Sequence, residues 1–312
     1  MKQEKGLGAM FHVKHGERAP DICDYEGSDY KQRFWTRERR YEDMVERETL
    51  RGLLPPSGRA IADLGAGFGR LVDLYESYEH VFLVDYSRTL LQQARQEHEG
   101  DSRFTYVAAD VRHLPLASAA FDTVLTVRVL HHLRDVSSAI EEAARVLVPG
   151  GTYLLEFASK RHLKAIARYL LRRQQWSPFD QEPVEFAELN FDFHPTYIRS
   201  HLQDAGFGVE RQRALSLFRW QPLKRALGAQ RLARLDALWQ PLASLYPLSP
   251  SVMVRARSLR DAVPRPPHLL ACPNCHGPLE TSRQRAVCPT CRRHWPQANG
   301  IYDFKGDGKP LY

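Results

Sequence analysis

The 312-residue chain has no apolar run approaching the roughly 20 residues that cross a bilayer; stretches such as 123–130 fall far short. That excludes a spanning helix and stable membrane insertion. The N-terminus carries Lys2, Glu4 and Lys5 and lacks an apolar signal core, so a cytoplasmic location is expected. No internal repeat or low-complexity tract occurs. Cysteine is scarce: of five, four fall in the last 41 residues and Cys23 stands alone in a polar segment with no role assigned. With 43% hydrophobic residues the chain can bury one α/β core of roughly 200 residues, leaving length for a second, smaller unit.

Charge is uneven. Residues 1–159 hold 20 Lys and Arg against 25 Asp and Glu; residues 160–312 hold 24 against 12, so the second half carries +12. Such an excess suits a polyanion, RNA or an acidic membrane surface, or else reflects arginines on the solvated faces of helices.

Residues 1–35 read as an N-terminal arm or lid. A helical pattern from 36 stops at Pro55-Pro56, and then short apolar runs at 60–64, 80–84, 104–108, 121–127 and 152–157 alternate with helical stretches, clearest at 89–97 and 137–147. That alternation predicts βαβ units and a parallel sheet. Val148-Pro149-Gly150-Gly151 reads as a stop and turn. A main domain is expected over 36–262, with 160–250 as a substrate-side insertion. The insertion should hold basic helices at 163–173 and 223–245, a helix from His194-Pro195 to Gly206, and a strand over 207–220. One more strand is expected at 251–257. Pro264, Pro266 and Pro267 form a stiff linker to a unit at 268–312.

The first strand runs into Asp63-Leu64-Gly65-Ala66-Gly67-Phe68-Gly69-Arg70, followed by a helical pattern at 71–74. Glycines after a strand let a ligand lie against backbone at a helix N-terminus. Their spacing is GxGxG with an acid two residues ahead, not the dinucleotide GxGxxG. An acid there repels pyrophosphate and balances the ammonium and sulfonium of S-adenosylmethionine. Asp85, ending the second strand before Tyr86, lies where a ribose diol would sit. Asp110, ending the third, suits an adenine amino group.

These pieces, DLGAGFGR at 63–70, VDYS at 84–87, AADV at 108–111, FDTVLTVRVLHHL at 121–133 and RVLVPGG at 145–151, resemble in order and spacing the class I S-adenosylmethionine-dependent methyltransferases, especially the ubiquinone-biosynthesis-like group. The resemblance implies a Rossmann-like seven-stranded α/β sheet whose last strand, 251–257 here, is antiparallel. It implies a donor loop of Asp63, Gly65, Ala66, Gly67, Gly69 and Arg70, with Asp85 and Tyr86 at the ribose. Asp110 and Val111 would meet the adenine, and Val127 and Arg128 would flank the sulfonium.

The acceptor is less defined. The [DN]PP[YF] segment of exocyclic-amine methyltransferases is missing at 126–129, and no cysteine lies between 23 and 272 for cytosine C5 chemistry. His131 and His132 can supply a base near neutral pH or simply pack the loop. His194, Tyr30, Phe34 and Trp35 are further candidates to close over a substrate. A small-molecule acceptor is favoured; the alternatives are an RNA methyltransferase using the basic half, or a non-catalytic donor-binding scaffold.

Cys272-Pro-Asn-Cys275 and Cys288-Pro-Thr-Cys291 form two knuckles 12 residues apart, a pattern that suits tetrahedral structural Zn2+ better than redox chemistry. The unit resembles the small zinc-ribbon proteins that activate tRNA and protein methyltransferases. That implies a structural, substrate-presenting or partner-binding role, with Arg292, Arg293 and Lys305 available to phosphates.

Overall fold

The computed structural model describes residues 22–28 and 39–310. Most of the expected arm at 1–35, with Tyr30, Phe34 and Trp35, lies outside these. Among the described residues no helix is long and apolar enough to cross a membrane.

Five parallel strands form the centre: β1 (Gly58–Leu64), β2 (Tyr78–Asp85), β3 (Phe104–Ala108), β4 (Phe121–Thr126) and β5 (Leu147–Ala158), in the order 3-2-1-4-5. Their last residues are almost wholly buried, which is why they read as continuous apolar runs. Helices α1 (Arg40–Leu53), α2 (Arg88–Glu97) and α3 (Ser137–Val146) cover the faces. Each buries one stripe, as with Leu90, Leu91 and Ala94 of α2, whose Ser87 N-cap accepts from Leu90 N.

Beyond β5 come α4 (Leu163–Leu170), the hairpin β6 (Val184–Ala187) and β7 (Asn190–Asp192), α5 (Pro195–Asp204), β8 (Phe207–Leu215), α6 (Gln221–Ala243) and β9 (Ser251–Ser258). Strand β9 slots antiparallel between β5 and β8, completing a seven-stranded order 3-2-1-4-5-9-8. This is the Rossmann-like seven-stranded order that the resemblance implies, with the antiparallel strand where the sequence places it.

Several expectations shift. No α-helix follows the glycine loop; residues 72–74 make a single 3-10 turn, because the short connection must return at once to β2. Pro149-Gly150-Gly151 lies inside β5, with Gly150 at φ +73° beside a register shift against β4. Strand β8 stops at Leu215, where Ser216 takes φ +59°, so 216–220 is irregular rather than strand. Helix α4 ends three residues early, at Leu170.

The C-terminal unit contributes β10 (Glu280–Thr281), β11 (Arg285–Cys288), β12 (Arg293–Ala298), β13 (Ile301–Asp303) and β14 (Lys309–Pro310). It is continuous with the sheet rather than separate. Strand β13 pairs in parallel with β3, Ile301 to Tyr106 and Asp303 to Ala108, and Phe304 N donates to Ala108 O at 2.7 Å. The proline linker is strapped down as well, Arg265 Nη2 reaching Ala120 O and Asp122 Oδ2, both at 2.7 Å.

Candidate active site and metal centre

At the carboxyl ends of β1–β4 lies a cavity lined by Asp63, Gly65, Ala66, Gly67, Arg70, Asp85, Tyr86, Asp110, Val111, Val127, Arg128 and His132, with Ile22, Cys23 and Tyr25 over them. Of the sequence-derived candidates, Gly69 and His131 are not part of this lining. Gly65 sits at φ +76°, where a Cβ would come within 2.1 Å of Val129 Cγ2, so only glycine fits. Gly67, at φ +56°, would put a Cβ in ordinary contact with Leu90 Cδ1 at 3.8 Å, and it donates its N–H to Asp85 Oδ2 at 2.8 Å.

The acids differ in what holds them. Asp85 Oδ1 also accepts from Ser87 N at 2.8 Å, yet burial pushes its carboxyl up to about 6. Burial likewise raises Asp63 to about 6, against the hydroxyl of Tyr75, which donates to its Oδ2 at 2.8 Å. The charges of Arg70 near Asp63 and of Lys305 near Asp85 only partly offset that burial. Asp110 is different: Arg112 grips both of its oxygens at 2.7–3.0 Å, so a ligand amine would have to share them.

Arg70 and Arg128 are pinned from beneath by Glu46 of α1, which is fully buried. Arg70 Nη2 meets Glu46 Oε2 at 2.8 Å and Arg128 Nε meets Oε1 at 2.8 Å. Burial opposes the charge of Glu46, but the two guanidinium groups win and bring it down to about 2. Arg128 also takes φ +62°, uncommon for a side-chain-bearing residue, held by its N–H donating to Glu156 Oε2 at 3.0 Å.

Residues 62–155 match the methyltransferase domain family. That segment is a methyltransferase domain. The demethylmenaquinone methyltransferase of Clavibacter sepedonicus is 34% identical over 113 residues, 36% of this chain and 46% of that protein, so the chain spans less than half of that relative. An S-adenosylmethionine-dependent methyltransferase from Mesorhizobium loti superposes with a TM-score of 0.50 at 23% identity, over 70% of this chain and 99% of that one. A chain from the complex that contains the Haloferax volcanii Trm112 methyltransferase activator gives 0.50 at 18%, over 72% and 94%. Both structural likenesses concern the fold.

In the methyltransferase domain His132 is held from both sides. Its Nδ1 lies 3.1 Å from Leu189 O, and a carbonyl can only accept, so Nδ1 carries the proton. Nε2 is then the acceptor for the Tyr25 hydroxyl at 3.0 Å. Burial keeps the ring neutral, its pKa lowered further by Arg128. His131 stacks at 4.0 Å and is pushed well down by burial, then by His132, Arg128 and Arg219. His194 caps α5, its Nδ1 accepting from Thr196 N at 3.2 Å, which gives it a structural duty in place of a substrate contact.

The sequence reading missed Tyr25, Cys23, Glu46 and Arg219. Only chain tracing brings a polar arm over the cavity or shows that one glutamate of a charged helix is buried. It also misplaced Lys305. Its ammonium is not free for phosphate but lies 4.6 Å over the ring of Tyr86 and 3.3 Å from Glu26 Oε2. Asp303 meets Arg88 Nη1 at 3.0 Å, so the end of β13 buttresses the wall of the cavity.

The four cysteine sulfurs converge within 4.8 Å, with Cys272–Cys291 at 3.9 Å and Cys275–Cys288 at 3.6 Å. Those separations are far longer than a disulfide. They match the roughly 3.8 Å edges of a tetrahedron with ~2.3 Å metal–sulfur bonds.

Proposed function

We propose that the chain binds S-adenosylmethionine in this cavity and transfers its methyl group to an acceptor, with a small molecule favoured. The observation that carries the reading is the pairing of two buried acids, Asp63 and Asp85, whose burial outweighs the nearby cations, around a glycine loop at the ends of adjacent strands. A cationic amino-acid end beside Asp63 and a ribose diol on Asp85 would supply what each lacks. Val111 and Asp110 then face the adenine, and Val127 and Arg128 border the sulfonium. The donor supplies an electrophilic methyl whose carbon bonds to the acceptor lone pair as the carbon–sulfur bond breaks. What the protein adds is alignment. His132 Nε2 takes the acceptor's proton, directly or through the Tyr25 hydroxyl. Cover by residues 22–25 favours an acceptor small enough to fit beneath them.

Cys272, Cys275, Cys288 and Cys291 would hold structural Zn2+ as thiolates, ordering a segment with few apolar side chains of its own. We read the ribbon as acting in cis, since β13 occupies the β3 edge where another strand would add.

The test is calorimetric titration with S-adenosylmethionine and, separately, NAD. Selective donor binding is expected, weakened by about tenfold or more in Asp85→Ala through loss of charge-assisted hydrogen bonds. Preference for NAD, or no binding, would overturn the reading.

A further inference from the structure

The last turns of helix α6 are turned inside out. After Leu232 and Ala233, which pack in the core, its buried positions are Asp236 and Gln240. Asp236 accepts from Tyr41 Oη at 2.5 Å and Leu217 N at 2.8 Å, and Gln240 bonds Thr49 at 2.9 Å. The outward face instead carries Leu235, Leu238, Trp239, Leu242, Leu245 and Tyr246, with Leu238 75% and Leu245 80% exposed. From 235 to 246 no charged residue is exposed. Leu232 and Ala233 supply the apolar anchor of the helix, and Asp236 and Gln240 bond α1, so the exposed leucines are not needed to hold it.

Helix α4 adjoins the same face. Arg161 lies 4.2 Å over the Tyr246 ring and Leu163 N donates to Leu248 O at 3.0 Å. Helix α4 and the residues just after it carry exposed Leu163, Leu170, Lys164, Arg172 and Arg173, and α6 carries exposed Arg231 and Arg234, with Arg225 ahead of the break at Gly228. Residues 160–178 contain no acid, and 219–250 only the buried Asp236.

We propose that α4 and α6 form a docking face for an anionic lipid surface, the leucines and Trp239 entering the headgroup boundary and the cations meeting lipid phosphates. Charge selects this occupant. A second copy would bring the same acid-free basic surface against itself, and RNA, which could stack on Trp239, would leave the exposed leucines unmatched. The proposal does not depend on the transferase reading, since vesicle binding and donor titration are separate measurements.

The test is co-sedimentation of the zinc-loaded full chain with phosphatidylcholine vesicles, with and without about one-third phosphatidylglycerol. Binding is expected only to the anionic vesicles, weakening with salt. Leu238→Ser with Leu245→Ser should lower it by roughly tenfold or more, and Arg172→Glu with Arg173→Glu by about tenfold. Unchanged circular dichroism and donor affinity would show that the variants are folded. No binding to anionic vesicles at low salt would overturn the proposal. So would equal binding by the leucine variants, or a dimer or RNA complex that forms through these leucines and excludes vesicles.

Discussion

The two edges of the sheet are finished in opposite ways. At the β3 edge the chain spends a whole C-terminal unit on closure: β13 supplies backbone partners, Phe304 and Lys305 follow it onto the cavity wall, and four cysteines fasten the rest. At the β8 edge the antiparallel β9 and β8 end the sheet, and the helices beside them present leucine and arginine to the outside. The first edge is built to hold a cavity still. The second is built to meet something, so rigidity and contact are assigned to different ends of one sheet.

The largest expected effect breaks the first edge. Stripping metal with a chelator, or replacing Cys272 by Ser, should unfold the ribbon, since structural zinc sites of this kind contribute on the order of 10 kcal/mol. Because Lys305 and Asp303 buttress Tyr86 and Arg88, donor affinity should fall with it. Metal analysis, circular dichroism and donor titration check this. A ribbon that melts while donor affinity stays unchanged would show the edges to be energetically independent.

How far the sequence reaches follows the same division. The strand ends, the glycine loop and the paired cysteines depend on local spacing, and the fold keeps them where the spacing puts them. The need for glycine in the loop and for an acid at the end of the second strand was legible, whereas Val129 crowding Gly65 and the bond from Gly67 to Asp85 appear only in the structure. The inward face of the last turns of helix α6 could not be anticipated, since periodicity assumes that apolar residues face inward and here Asp236 and Gln240 do. Nor could Glu46, one of several acids on α1, whose partners Arg70 and Arg128 come from two different loops. The union of β13 with β3 was hidden for another reason: pairing between segments some 200 residues apart leaves no local mark.

A middle-sized effect tests the donor side from beneath. Glu46→Gln removes the buried charge that Arg128 and Arg70 share, leaving Arg70 its Asp43 partner, and should cost roughly 3 kcal/mol of stability. The wild-type contribution of Glu46 has a definite sign. With a folded pKa of about 2, below the usual 4.5, it is fully present above the unfolded value and is lost as pH falls from there through 2. Urea unfolding of the two proteins at neutral pH measures the difference. An unchanged midpoint would mean that the network does not brace this wall.

The smallest effect separates holding from binding within the cavity. Asp63 and Asp85, raised to about 6, have the opposite sign from Glu46. Between the ordinary 3.8 and about 6 the folded, ligand-free protein keeps protons that the unfolded chain has released, so its stability declines as pH rises through that window. A cationic donor reverses the balance, because it binds the ionised carboxylates. Donor affinity should therefore rise over the same interval, by about tenfold for each acid between pH 5 and pH 7. Titrations across that range, set beside unfolding curves of the free protein, should give two slopes of opposite sign. Asp85→Asn should remove one acid's share of each. Parallel slopes would mean that these carboxyls are neutral packing groups, leaving the β3 edge to stabilise a cavity that does not bind through its charge.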